Sequence, residues 1–405
     1  MSKGEGNANH KEHPQGFIRT TYGARFFPLK SSQVQDSDGH GEGGEVIVKV
    51  LYIGDGSSIH IWRMGDWLRA HDHEAQMLNL TPESSAEDRE TAASHFDKYV
   101  DAKRPWRAPT GYVATMLPVR KLVRKLNPDV VHGHYLTTGG FFARWSGHNV
   151  VFSSAWGSDV YLGQKYRGQR WLLRSAIKGS DVITGDSDHI LNEVRKYSPS
   201  VRTHKFLFGV DTNLFVPKPE LRQKEFTFLS GRSSYELYNP IRIVKAFELL
   251  DGRSRLLLQR SRFPYPDLEK IVNDSPMKDR IDWCPSRVYS EMPELFNKAH
   301  VTISIPNSDS SSAVMMESMA CGVPVIASKI PQNDEWDGFG IWTPKDDSVE
   351  ALADLMRKVM EQPQLIEAAG KVAREVIIQR ADWDKQMEGL VKLYEELVGN
   401  PSRGV

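Results

Sequence analysis

The 405-residue chain reads as an α/β protein made of two doubly wound, parallel-sheet domains. Three stretches carry that expectation. Val46 to Ile53 is a near-continuous apolar run, the pattern of a strand buried on both faces of a parallel sheet, and it leads into a glycine turn and an amphipathic helix. Pro128 to Tyr135, PDVVHGHY, repeats the buried-strand pattern in the same half. In the second half Val301 to Ser328, VTISIPNSDSSSAVMMESMACGVPVIAS, reads as strand, polar loop, helix, glycine stop and strand. The length suffices for two ordinary domains, each with a core of its own.

Composition narrows the function classes. Lys plus Arg (52) equals Asp plus Glu (52), so no global field selects nucleic acid or a strongly acidic partner. The two cysteines, Cys284 and Cys321, sit in apolar contexts and read as reduced thiols of a cytoplasmic protein, not as a disulfide framework or a metal site. No apolar run approaches the ~20 residues of a membrane span, and no signal-peptide core is expected at the N-terminus.

Met1 to Glu45 is polar and rich in Gly, His and Ser, so residues 1–45 are expected to form a flexible extension, with Phe17 to Leu29 able to dock on a surface. After the first strand come Gly54, Asp55, Gly56, Ser57 and Ser58, then a helix through Trp62, Met64, Trp67 and Leu68. Strand, glycine turn and helix form the geometry by which a doubly wound domain approaches a phosphate, although two glycines without a full GxGxxG serve equally to make a tight turn. Pro118 to Leu126 is expected to form a short helix crowded with Arg120, Lys121, Arg124 and Lys125, a face suited either to anionic lipid or to plain solvent. His132 and His134 stand two apart, on one side of a strand end where α/β folds place ligands, and His134 is nearer the loop. Val150 to Leu162 runs from a strand into a polar loop whose Asp159 either binds an acceptor hydroxyl and its proton or caps the next turn. It has no second acid in a DxD arrangement, which argues against a metal. Arg170 to Lys178 is a basic helix and Asp181 to Asp186 a further strand.

The second half begins with the strand Phe226 to Leu229. Arg232 follows its end, where a guanidinium fork suits a diphosphate. Arg260 or Arg262, after the strand Arg255 to Gln259, would reach the same sheet edge. Ser311 or Ser312 caps the helix Ala313 to Cys321, whose first amides make an anion site. Glu317 lies about five residues on, roughly 7 Å along the axis. Val314, Met316, Met319, Ala320 and Cys321 surround it with apolar groups, so it is expected to be partly buried and to need a partner. A phosphate at the cap and a diol at Glu317 would fit one nucleotide. Ile281 to Arg287 precedes a helix at Met292 to Lys298, Val349 to Arg380 is helical with a break at Pro363, and Trp383 to Val398 is a final amphipathic helix.

Asp309, seven residues, then Glu317, followed by Ser318 to Pro324 (SMACGVP), resembles the donor-site signature of retaining glycosyltransferases of family 4, which have the GT-B fold. The resemblance implies two Rossmann-like domains facing across a cleft: an acceptor domain at 46–208, a donor domain at 209–382, and a crossover helix with its tail at 383–405. Lys205 to Pro217, with Gly209, Val210, Asp211 and Phe215, resembles the family's connector. The resemblance further implies Glu317 on the ribose hydroxyls and Asp309 near the transferred sugar, where the family normally carries Glu. It implies Gly56 and Ser57 facing the donor, His134 beside the donor sugar, Arg232 on the diphosphate, and the loop ending at Arg287 against the nucleobase. Trp156 to Asp159 resembles a loop in one branch of the family. The family's second phosphate cation is replaced by Tyr235 to Tyr238, for which Arg260 is the candidate substitute.

The implied activity is metal-independent and needs no cofactor: transfer, with retention, from a UDP-, GDP- or ADP-sugar to a hydroxyl acceptor. That acceptor is a glycan, glycolipid or small molecule. Lipid-linked acceptors are common in the family, and peripheral attachment to the inner membrane face would follow from them. Asp309 and the missing lysine motivate a second reading, a catalytically weak nucleotide-sugar binding or partner subunit. A GT-B sugar-nucleotide epimerase is a third, without a matching set of acids.

Overall fold

Apolar runs flanked by helices leave little choice but parallel pairing, and this is what the chain forms. The computed structural model describes residues 46–81, 85–102, 109–232, 234–261 and 265–399. The expected extension at 1–45, including Phe17 to Leu29, Arg262, and the tail 400–405 lie outside the described residues. The first sheet contains β1 (Lys49–Gly54), β2 (Glu74–Asn79), β3 (Lys98–Asp101), β4 (Val130–His134), β5 (Val151–Ala155), β6 (Val182–Gly185) and β7 (Arg202–Lys205), in the order β3-β2-β1-β4-β5-β6-β7. The second contains β8 (Phe226–Ser230), β9 (Ser254–Gln259), β10 (Ile281–Cys284), β11 (Val301–Ser304), β12 (Val325–Ala327) and β13 (Ile341–Trp342), in the order β10-β9-β8-β11-β12-β13. Neighbouring strands run parallel throughout, for example Leu51 opposite Val131 and Thr302 opposite Leu229. In both sheets the strand order reverses beside the first strand, at β1/β4 and β8/β11, and the crevices outside those strand ends are where doubly wound folds bind ligands.

Two elements differ from expectation. β1 starts at Lys49, not Val46: Val46 and Ile47 are 53% and 67% exposed, and the β1–β2 pairing begins at Lys49 and Glu74. The helix expected at Pro118 to Leu126 instead spans Pro109–Leu126, with Pro118 inside it. Tyr112, Met116, Val119, Val123 and Leu126 form one apolar stripe across the proline and pack with Leu51, Val131 and Phe142. That packing outweighs the single backbone hydrogen bond a proline removes, so the rule placing proline at a helix start fails here.

The last helix, Trp383–Gly399, buries Met387, Leu390, Val391, Leu393, Tyr394 and Leu397 as its 3.6-residue spacing predicts. These side chains join Val50, Tyr52, Phe152 and Val182 of the first sheet. The helix therefore crosses back from the second domain to the first. The crossing is pinned by polar contacts: Tyr394 Oη lies 2.5 Å from His132 Nδ1, Trp67 Nε1 donates to Asp384 at 2.9 Å, and Arg202 pairs with Glu396 at 2.8 Å.

Candidate active site

On the second domain the site is built around β11, its loop and the helix Ala313–Ala320. Ser312 is the cap, its hydroxyl accepting the Met315 amide at 3.2 Å, and Gly322 ends the unit with φ +69, a conformation glycine adopts without strain. Arg232, just past β8, donates to the Ser312 hydroxyl at 2.6 Å, forms an ion pair with Asp309, and lies 4.6 Å over the Tyr238 ring. Asp309 also accepts the Ser310 amide at 3.0 Å. Burial pushes the Asp309 carboxyl up, and Arg232 opposes that shift.

Glu317 is 6% exposed, and its Oε2 is buried with no hydrogen-bond partner among the described residues. Burial raises its carboxyl to about 7, countered in part by the charges of Arg63 and Arg232. Arg63 comes from the first domain, on the helix Ile59–Ala70. It donates to the Gly209 carbonyl at 2.7 Å and lies 4.1 Å over the Trp383 ring and 5.2 Å over the Tyr289 ring. One buried arginine thus touches the connector, the crossover helix and the loop before the helix Met292–Asn297.

On the first domain, the segment after β4 is a π-helix, Tyr135–Gly140. It lies flat across the strand ends because glycines permit it. A Cβ at Gly133 would come 2.3 Å from the Gly139 carbonyl oxygen, and one at Gly139 would come 2.1 Å from that of Ile53. Tyr135 opens the segment at φ +69, a strained value for a non-glycine residue of the kind that gathers at functional sites. His134 is 1% exposed, with both ring nitrogens buried and unpartnered among the described residues. Its ring stacks on His132 at 4.5 Å and meets Trp156 at 5.9 Å, which in turn meets His60 at 5.7 Å. Burial pulls both His134 and His60 down to about 3, so both imidazoles are neutral at physiological pH. They can exchange hydrogen bonds with hydroxyls but carry no charge toward an anion.

Other candidates land differently. Gly56 is buried with its Cα turned to the neighbouring strands: a Cβ there would meet Tyr99 Oη at 2.2 Å and Asn79 Cγ at 2.9 Å. The neighbouring strands are enough to require glycine there. The Ser57 hydroxyl donates to Asp55 at 2.7 Å within the turn. Asp159 accepts the amides of Leu136 at 2.6 Å, Trp156 at 3.0 Å and Val160 at 3.0 Å, so its carboxylate is committed to backbone as a cap and not turned to an acceptor. Arg260 stacks 4.6 Å over Trp283 and reaches Glu269 at 3.4 Å. Arg287 lies 3.6 Å from Glu294. Ser311, expected to face a ligand, gives its amide (3.0 Å) and hydroxyl (2.6 Å) to Asp186 of the first domain.

The structure therefore gathers Arg232, Asp309, Ser312 and Glu317 on one wall, and His134 with His60 and Trp156 on the other. Arg63, His60 and Asp186 were missed in the sequence. Arg63 had a signal, since it falls on the Ile59, Arg63, Trp67 stripe where a charge is out of place. Among the described residues no group of three or more His, Cys, Asp or Glu side chains could hold a metal ion.

Residues 49–187 match the family described as Glycosyl transferase 4-like, and residues 212–376 match Glycosyl transferases group 1. N-acetyl-alpha-D-glucosaminyl L-malate synthase of Bacillus anthracis is 19% identical over 303 residues, covering 70% of this chain and 79% of that protein. The solved structure of HepE from Anabaena, in complex with UDP and glucose, aligns with a TM-score of 0.72 at 14% identity, covering 86% of this chain and all of that one (100%). Sucrose-phosphate synthase from Thermosynechococcus elongatus aligns with a TM-score of 0.69 at 16% identity, covering 87% of this chain and 99% of that one. At these identities the structural likeness establishes the two-domain GT-B architecture.

Proposed function

Because the chain belongs to the group 1 glycosyltransferases and has their GT-B fold, we propose that it moves a sugar from a nucleoside diphosphate sugar to a hydroxyl acceptor with retention of configuration. The observation that carries this reading is Glu317: a buried carboxylate with an unpartnered oxygen, on the same capped helix that Arg232 grips at Ser312. A ribose hydroxyl supplies the donor that this oxygen lacks. The diphosphate sits against Arg232 and the helix amides, fixed dipoles aimed at the charge that develops on the leaving group. The transferred sugar reaches Asp309 on one side and the neutral His134 on the other. Attack comes from the leaving-group face, with a phosphate oxygen accepting the acceptor proton.

A thermal-shift screen of UDP, GDP and ADP and their sugars tests the reading. One nucleotide series raises the melting temperature by several degrees at about 100-fold excess over its Kd. Stabilisation by none removes the donor assignment, and stabilisation without turnover favours a binding or partner subunit.

The acceptor reading includes a membrane face. On the helix Pro109–Leu126, Val113 (69%) and Leu117 (67%) are exposed beside Arg120, Lys121, Arg124 and Lys125. The neighbouring helix Arg167–Gly179 exposes Trp171 (58%), and neither helix carries an acid. Apolar tips ringed by cations suit an anionic bilayer, at about 1 kcal/mol per basic residue. Reversing Arg120, Lys121, Arg124 and Lys125 to Glu is expected to weaken sedimentation with phosphatidylserine vesicles by ~100-fold or more. Undiminished binding would return the helix to solvent.

A further inference from the structure

Asp186 follows β6 and is 4% exposed. Its Oδ2 accepts the Ser311 amide at 3.0 Å and the Ser310 hydroxyl, and its backbone carbonyl accepts the Ser311 hydroxyl at 2.6 Å. Three bonds therefore run from one first-domain residue to two consecutive residues of the second domain, immediately after Asp309 and before the cap Ser312. Its other oxygen, Oδ1, is buried without a partner among the described residues. The support behind Asp186 is stiff. Ser187 caps the helix Asp188–Arg195 by accepting the Ile190 amide at 3.3 Å, and the Asp188 amide donates across the cleft to Glu335 at 2.6 Å. The Trp156–Gly157 turn, with Gly157 at φ +86, lies alongside Ser310. On the opposite side, Arg232 holds Asp309 and Ser312 from within the second domain. The loop is thus clamped from both domains at once.

We propose that Asp186 is a positioning residue through which closure of the two domains sets the loop carrying Asp309. A buried carboxylate is a costly way to join two surfaces, and a neutral side chain would pack there with less desolvation. What the carboxylate provides is a strong, directional acceptor for an amide and a hydroxyl together, available only when β6 stands against the loop. When the domains part, the three bonds break as a set, and the loop keeps only restraints from its own domain, among them Arg232 on Asp309 and Ser312 and the bonds of Asn307 to Leu237 and Asn239. Asp309 then loses its fixed orientation toward the sugar, so transfer is confined to the closed form and water meets a disassembled site. The catalytic part of this inference rests on the transferase reading above. The coupling between domain closure and loop order does not.

Hydrogen exchange of the full chain, followed by mass spectrometry, tests the coupling without any donor. Asp186→Ala is expected to speed exchange across 307–315 by at least ~10-fold while leaving β1, β4 and β12 protected, and Asp186→Asn, which keeps one acceptor for the Ser311 amide, restores most of the protection. With the donor found by the nucleotide screen, Asp186→Ala lowers kcat about 100-fold and leaves the donor KM within about threefold. Unchanged protection at 307–315 overturns the inference, as does a loss spread over both sheets with kcat retained per folded molecule. If Asp186→Ala does not fold, Ser310→Ala with Ser311→Ala removes the two hydroxyl bonds and gives the same exchange readout.

Discussion

Replacing Arg232 by Ala is expected to abolish measurable nucleotide binding and to cost about 3 kcal/mol of folding stability. Both effects come from one geometry. The Arg232 side chain is 12% exposed and that of Asp309 is 18% exposed, so deleting the guanidinium leaves an uncompensated, largely buried carboxylate, a loss of roughly 3–5 kcal/mol in such settings. The same deletion removes the charge nearest the capped helix end, where a diphosphate would sit. Lysine does not rescue it, because one ammonium cannot serve Asp309 and Ser312, as Nη2 does, and also Ser304, which Nε reaches at 3.4 Å, while laying a planar group on Tyr238. The double variant Arg232→Ala, Asp309→Ala separates the two effects. It recovers most of the stability in urea unfolding but none of the affinity in calorimetry. Affinity retained in the single variant would take Arg232 out of the diphosphate subsite.

Glu317→Gln is expected to weaken nucleotide binding tenfold or more at pH 8, the loss of about one charged hydrogen bond. The pH dependence has a definite sign. The carboxyl is raised from the ordinary glutamate value to about 7 by burial, so the native protein keeps its proton over pH 4.5 to 7 while the unfolded chain has lost it. Stability from this group is therefore full below pH 4.5 and declines as pH rises through 7. Affinity for a ribose diol moves the other way, rising between pH 6 and 8 as the carboxylate forms. The Gln variant shows a flat affinity profile and is more stable than the native protein at pH 8 by on the order of 1–3 kcal/mol, with no difference at pH 4. A native affinity that does not change between pH 6 and 8 would falsify the assignment of Glu317 to the diol.

These two residues were also the ones most legible in the sequence, for a physical reason. Glu317 is flanked by Val314, Met316, Met319 and Ala320, and a carboxylate amid apolar neighbours is visible within one turn of helix. Arg232 follows a strand end in a fold that puts ligands there. The parallel sheets were legible in the same way, because a strand covered on both faces leaves an unbroken apolar run. What local pattern cannot carry is a contact made between the two halves. The significance of Arg63 comes from Gly209, 146 residues away, and that of Asp186 from Ser310 and Ser311, 124 and 125 residues away. Asp159 shows the converse. A polar loop beside a cleft looked available, yet three backbone amides absorb it.

The tie between His132 and Tyr394 has a consequence for how the protein comes into being. The imidazole lies in the fourth strand, with no exposure, and its phenol partner arrives 262 residues later. At ordinary translation rates of about 5–20 residues per second, the first half therefore waits on the ribosome for roughly 13–50 s with an open apolar flank and a polar atom unmatched. The core of the first sheet is complete only when the final helix has packed on it, so the first domain finishes folding after the second has been made and not independently of it.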